Sequence, residues 1–137
     1  MNTLLARAPI DAPAEAFLRS VGEVFAVFDE HTHTSANVSY GVDCDRQRFF
    51  VKTAGRPDVR ATLAHPTRVA LLRNAADLAR SCEHGCLPVL RTVIEAPASP
   101  LLVYDWADGE LLGVPAARRA DPTSPFQRFR ALPVAEI

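Results

Sequence analysis

The sequence contains one lysine, few cysteines and no long apolar run. Lys52 is the only lysine among 15 basic residues, and the formal net charge is -1. This balance provides no electropositive field for nucleic acid or an anionic membrane surface. The apolar runs are shorter than the roughly 18 residues that suggest a membrane span. We therefore expect a protein that binds neither nucleic acid nor membrane.

The three cysteines are loosely spaced and odd in number, which favours reduced thiols over a disulfide framework. The N-terminus lacks a basic start followed by an apolar run, so we expect no secretion signal. At 137 residues the length fits one domain with a real core, and the 48% hydrophobic content is typical of soluble globular proteins. Together these features predict a cytoplasmic protein.

Short apolar segments separated by polar ones predict a meander. Residues 23–28, 38–42 and 48–52 are rich in β-branched and aromatic side chains and are joined by polar connections. Three such segments predict consecutive antiparallel strands. Before them, Asp11 and the proline two positions later predict the start of a short helix that ends at Gly22.

After the third strand, the spacing of the apolar residues changes from that of a strand to that of a helix. Residues 67–82 predict a helix, and residues 87–95 and 101–105 predict a fourth and a fifth strand. One apolar stripe of this helix consists of Leu71, Ala75, Leu78, Ala79 and Cys82. The arginines off that stripe are expected to face solvent: Arg68, Arg73 and Arg80. After Gly109 the prolines predict an irregular tail, and residues 132–137 resemble a helix start.

Lys52 ends the apolar segment Arg48-Phe49-Phe50-Val51-Lys52 and has two interpretations. A strand lysine is usually the outward polar residue of a half-buried strand. Alternatively, a compact ammonium on a rigid strand meets an anionic oxygen. The segments on both sides decide between these interpretations.

The order of three strands, a helix and two strands, with Lys52 on the third strand, resembles the N-terminal lobe of protein kinases. The run Tyr104-Asp105-Trp106-Ala107-Asp108-Gly109-Glu110 is similar to the kinase hinge. The chain is most like divergent bacterial serine/threonine kinase-like proteins, over residues 23–112. The resemblance implies an α+β fold: a five-stranded antiparallel sheet with one main packed helix. Residues 1–22 would be a helical extension, and residues 113–137 a tail leading toward a missing C-lobe.

The resemblance also implies roles for individual residues. Lys52 matches the lysine that contacts the α- and β-phosphates of ATP. Tyr104 would be the gatekeeper, Asp105 and Ala107 would offer backbone groups to the adenine edge, and Glu110 would lie near the ribose. The implied cofactor is ATP with magnesium.

Several positions depart from the kinase pattern. Residues 30–37, where a glycine-rich loop is expected, contain no glycine, and Asn74 stands where the helix should present a glutamate. Phe50 replaces an alanine under the adenine, so its ring is able to fill that space. No His-Arg-Asp or Asp-Phe-Gly segment is present, so we expect no catalytic residue and no phosphate transfer by this chain alone.

These departures support an alternative function, a non-enzymatic pseudokinase-like module. Such a module would bind a protein partner, or a second copy of itself, through the face that a C-lobe covers. In either case we expect an uncovered apolar inter-lobe face.

A metal site is a further alternative that we do not expect. Cys82, His84 and Cys86 lie within five residues, but structural zinc needs four well-placed ligands. His31 and His33 would complete a set only if the fold brought their loop near. We interpret Cys82 and Cys86 instead as buried thiols at a helix end. We expect Trp106 to pack at the hinge.

Overall fold

An open, five-stranded antiparallel sheet forms the centre of an α+β fold, as the sequence predicts. The computed structural model describes residues 2–6, 8–30, 35–112 and 116–136. The elements in chain order are a 3-10 turn (Thr3–Leu5), α1 (Ala14–Val21), β1 (Glu23–Phe28), β2 (Val38–Cys44), β3 (Gln47–Thr53), α2 (His65–Ser81), β4 (Leu90–Ile94), β5 (Leu101–Asp105), α3 (Ala116–Arg119), α4 (Pro125–Arg130) and a 3-10 turn (Val134–Glu136).

The strands lie in the order β1-β2-β3-β5-β4, and all pairs are antiparallel. The first three form the predicted meander, and β5 then inserts between β3 and β4. Lys52 pairs with Ser39 of β2 on one side and Leu102 of β5 on the other, so it lies on the central strand. A lysine on a strand with neighbours on both sides has a fixed backbone position.

One face of the sheet packs against the N-terminal segment. Alternate residues of the strands point to this side, as the period of two requires. Leu4 of the first turn and Leu18 of α1 are fully buried against it. The strand residues of this core are Tyr40, Val42, Cys44, Phe49, Val51, Ile94, Leu101 and Val103.

α2 covers part of the opposite face, but of the predicted apolar stripe only Ala75 packs in the cluster beneath it. Its buried residues are Arg68, Leu72 and Ala76. Leu72 and Ala76 pack with Leu102 and with the half-buried Tyr104. Leu71 and Leu78 of the stripe are 51% and 56% exposed. The expectation of a solvated Arg68 is wrong, since this side chain is only 2% exposed. Relative to the prediction, the packed face is turned by one residue, about 100° in an α-helix.

Among other differences from the predictions are the start of β4 and the structure of the tail. β4 begins at Leu90 rather than at residue 87. The backbone turns at residues 84–87, where the Leu87 N–H donates to the His84 carbonyl, and Pro88 has no N–H to donate to a neighbouring strand. The tail contains α3 and α4 instead of being irregular. Ser124 caps α4 by accepting from the Gln127 N–H, with Pro125 in the first position, a recognised start signal.

Candidate functional site

A cleft of about 630 Å³ lies between the sheet, α2 and the chain that follows β5. We call it the main cleft. It brings together all five residues to which the kinase resemblance gives a binding role: Lys52, Tyr104, Asp105, Ala107 and Glu110. The sequence separates the first of these from the others by about fifty positions. The pairing of β3 with β5 therefore brings them together.

Lys52 lines the main cleft. Within the part of the chain that the structure describes, its ammonium makes no hydrogen bond or ion pair. The helix residues that share the cleft wall with it are Ala75, Leu78 and Ala79. Asn74 is exposed and does not line the cleft. Asn74, which stands at the aligned glutamate position, therefore does not share the cleft wall with Lys52. α2 supplies neither a carboxylate nor an amide to Lys52.

The segment Asp105–Glu110, which we call the hinge segment, forms the wall beside β5. The Asp105 N–H donates to the Val89 carbonyl at 3.1 Å, and the Asp105 carboxylate accepts from Arg91 at 2.7 and 2.6 Å. Among the described residues, the Ala107 backbone N–H and C=O have no hydrogen-bond partner. Ala107 thus presents an adjacent donor and acceptor at the cleft edge.

Glu110 is tied to the C-terminal tail. Its carboxylate accepts a hydrogen bond from Arg128 of α4, and both side chains are about half exposed. Exposed pairs of this kind contribute only about 0–1 kcal/mol. The Glu110 carboxylate is therefore available to a ligand that competes with Arg128.

Tyr104 forms the floor of the main cleft and packs in the core beneath α2. Burial raises the pKa of its phenol above the ordinary value of 10.0. The hydroxyl therefore stays protonated at neutral pH and is able to donate a hydrogen bond.

An aromatic cluster of Phe25, Phe28, Phe50 and Trp106 covers the sheet beside the main cleft. Phe25 meets Trp106 edge-on at a centroid distance of 4.9 Å, and Phe28 stacks on it at 6.4 Å. Phe50 lies 5.9 Å from Phe28 and also lines the cleft. This confirms that Trp106 packs at the hinge segment. It also places the Phe50 ring in the cleft wall.

Gly41 makes room for the aromatic cluster, and we expect Gly41→Ala to disturb it. A Cβ there would lie 2.7 Å from the Phe25 ring and 3.0 Å from the Trp106 ring. Such overpacking lowers the free energy of unfolding by about 1–2 kcal/mol. Trp106 is the sole tryptophan, so its emission spectrum reports the displacement directly. Unchanged emission and stability in Gly41→Ala would show that the rings do not depend on this glycine.

The buried Arg68 holds two separate parts of the chain through three carbonyls, a role that the sequence analysis missed. Its Nη1 group donates to the carbonyls of Ala36 and Ala54, the latter at 2.6 Å, and Nη2 donates to the Arg56 carbonyl at 3.2 Å. These acceptors belong to the segment before β2 and to the chain leaving β3. A single arginine in a helix pattern carries no signal for such distant backbone acceptors.

Cys82, His84 and Cys86 form the metal-site alternative that we do not expect from the sequence. In the described part of the chain, no group of three or more potential ligands is close enough to hold a metal ion. Cys82 and Cys86 are exposed, contrary to the expectation of buried thiols at the helix end, whereas Cys44 is buried. His31 and His33 lie outside the described residues.

Comparisons of the chain with protein-family models, with curated proteins and with solved structures found no match. Among the described residues, no helix is long and apolar enough to cross a membrane.

Proposed function

We propose that the chain is the nucleotide-binding N-lobe of a serine/threonine kinase-like phosphotransferase. One observation carries this proposal: Lys52 and the backbone of Ala107, which have no hydrogen-bond partner among the described residues, line the same cleft. An ammonium suits a phosphate oxygen, and an adjacent backbone donor and acceptor suit the edge of a purine. The cleft volume of about 630 Å³ lies within the range of small-molecule sites, about 300–1,000 Å³.

In this proposal each cleft residue has a distinct task. Ala107 recognises the adenine edge, Lys52 meets the phosphates, and Tyr104 donates its hydroxyl from the floor. Glu110 accepts from the ribose after it separates from Arg128. Phe50 and Trp106 contribute apolar area at the wall, so the base enters beside the aromatic cluster.

The carboxylates of the main cleft do not suit a resident magnesium ion. Asp105 is paired with Arg91, Glu110 with Arg128, and Asp108 accepts from the Trp106 indole N–H at 3.0 Å. A magnesium ion would therefore arrive with the phosphates of ATP. The sequence also contains no His-Arg-Asp or Asp-Phe-Gly segment, so phosphate transfer requires groups from a second lobe.

Lys52→Met is the direct test. The change removes the ammonium and keeps most of the aliphatic side chain. It is expected to weaken ATP binding by about tenfold or more, since charge-assisted hydrogen bonds are roughly twice as strong as neutral ones. Isothermal titration with Mg-ATP measures the affinity. Arg60→Met is the matched control, because Arg60 is an exposed cation outside the cleft. Equal affinities in the two variants, or no ATP binding by the native chain, would refute the proposal.

A specific observation also supports the alternative of a non-enzymatic module that binds a protein partner or self-associates. Leu78 and Leu111 line the main cleft yet are 56% and 57% exposed. Together with Leu87 they form an apolar rim of the kind that marks interaction surfaces. This alternative predicts no thermal shift with nucleotide, and a dimer mass or a co-purifying protein in size-exclusion chromatography with light scattering.

A further inference from the structure

A second cavity, of about 670 Å³, lies on the face of the sheet opposite the main cleft, and we call it the N-terminal cavity. Its strand residues include Val38 and Tyr40, which belong to the core on the side of α1. The segment before α1 and the connection between β4 and β5 also line it. The volume is within the range of small-molecule sites, about 300–1,000 Å³.

Tyr40 lines the N-terminal cavity with a hydroxyl that has no partner. The residue is only 6% exposed, and among the described residues its hydroxyl makes no hydrogen bond. The other two hydroxyls of the described wall are satisfied. Thr53 donates to the Val38 carbonyl at 2.8 Å, and Ser99 accepts from the Ala54 N–H at 2.9 Å. Buried tyrosine hydroxyls usually find a partner, so the Tyr40 hydroxyl is available to a ligand.

The N-terminal cavity carries an excess of negative charge. Among the described residues, four carboxylates line it: Asp11, Glu15, Asp29 and Glu30. Arg56 is the only cation in that wall, and Asp58 holds its guanidinium at 3.0 and 2.5 Å. A cavity with this charge favours a positively charged ligand.

The negative charge acts on Tyr40 itself. Burial raises the pKa of the phenol, and the carboxylates of Glu15 and Asp29 raise it further, against the opposite effect of Arg19. Arg19 pairs with Glu15 at 2.8 Å, but both side chains are about half exposed, so this pair is weak. The hydroxyl therefore stays neutral at neutral pH, and its oxygen is able to accept from an N–H donor.

The carboxylates are too dispersed for a metal ion. Within the described residues, no group of three or more potential ligands is close enough to hold one. Asp11 and Glu15 flank the start of α1, whereas Asp29 and Glu30 follow β1. Separated negative charges suit a ligand whose positive charges are also separated. Much of the remaining wall is apolar and suits a methylene chain: Pro13, Val27, Val38, Pro57, Ala96, Pro97 and Ala98.

We propose that the N-terminal cavity binds an aliphatic diamine or polyamine. One ammonium group donates to the Tyr40 hydroxyl, a second lies against carboxylates of the rim, and the alkyl chain contacts the proline and valine side chains. The site is on the other face of the sheet from Lys52 and Ala107, so it does not depend on the function proposed for the main cleft.

Tyr40→Phe tests the contact within the cavity. The change removes a hydroxyl that has no partner in the protein and keeps the ring that packs in the core. Spermidine binding, measured by isothermal titration in phosphate buffer at low salt, is expected to weaken by about tenfold or more, because a hydrogen bond to a charged group is lost. Equal affinities in Tyr40→Phe and the native chain would overturn the proposal.

Asp11→Asn tests the charge. Asp11 is exposed and makes no hydrogen bond among the described residues, and α1 begins at Ala14 without a side-chain cap, so little stability depends on it. Spermidine binding should weaken about three- to fivefold. Asp45→Asn is the matched control, because it changes the net charge equally at an exposed position outside the cavity. An equal loss in Asp45→Asn would show a general charge effect and contradict a built site.

The nature of the ligand is tested in the native chain, which needs no variant to fold. Spermidine should shift the amide signals of Gly55 and Ala98, which line the cavity, and leave that of Ala107 in the main cleft unchanged. No binding of spermidine, shifts at Ala107 alone, or displacement of spermidine by equimolar magnesium would refute the amine site. A tri-lysine peptide that binds where spermidine does not would assign the cavity to a protein partner and overturn the small-molecule proposal.

Discussion

Arg68→Met is expected to lower the free energy of unfolding by about 3–5 kcal/mol, the cost typical of removing one partner of a buried charged contact. The change leaves three carbonyl oxygens, of Ala36, Ala54 and Arg56, without their charged donor. Methionine fills part of the space but provides no hydrogen bond. Urea unfolding followed by circular dichroism measures the difference.

Arg73→Met is the control on the same helix. Arg73 pairs with Glu95 at 2.9 Å, but both side chains are about half exposed. Exposed pairs contribute about 0–1 kcal/mol, so this variant should unfold close to the native chain. A similar loss in both variants would mean that the effect comes from α2 itself and not from the buried contacts.

Gly55→Ala is expected to cost roughly 2–4 kcal/mol of unfolding free energy, from backbone strain together with overpacking. Gly55 has a φ of +69°, a conformation that side chains with a Cβ rarely adopt. An added Cβ would lie 2.2 Å from the Ala36 carbonyl oxygen, the same atom that accepts from Arg68. Backbone has to move to relieve this contact, and the Arg68 hydrogen bond moves with it.

Gly85→Ala is the matched control for that substitution. A Cβ at Gly85 meets nothing within 4 Å, so the unfolding free energy should hardly change. Combining Gly55→Ala with Arg68→Met should cost less than the sum of the single losses, because both act on Ala36. Additive losses would indicate two independent contacts.

These contacts also set the geometry of the candidate site. Arg68 joins α2 to the segment before β2 and to the chain leaving β3, and so keeps Ala75 beside Lys52. If Arg68 is lost, the main cleft should widen. The stability of the fold and the shape of the site therefore depend on one buried cation.

Local sequence determined most of the strand layout. β1 at residues 23–28 and β5 at 101–105 have the predicted limits, because β-branched and aromatic residues favour extended chain and polar or proline-containing segments bound them. The antiparallel meander was predictable because short polar connections join the first three strands. The α+β class and a five-stranded sheet were predictable for the same reason.

The five binding residues that line the main cleft were predicted from the kinase resemblance and not from the periodicity of the sequence. Strand alternation indicates that Lys52 and Phe50 share a face, but not what lies opposite. The β3–β5 pairing and the path of the hinge segment place Tyr104, Ala107 and Glu110 around the same space. A pairing between segments fifty residues apart leaves no mark in either segment alone.

Only the tertiary structure decided which face of α2 is packed. Leu71, Ala75 and Leu78 form the stronger apolar stripe, yet Arg68, Leu72 and Ala76 are buried. Hydrophobicity argues for the stripe, whereas Arg68 finds three backbone carbonyls only in the folded chain. Those hydrogen bonds offset the cost of removing a guanidinium from water, and with this face packed Leu71 and Leu78 stay exposed. A sequence pattern records what each residue prefers on average, and here contacts from distant parts of the chain outweigh that preference.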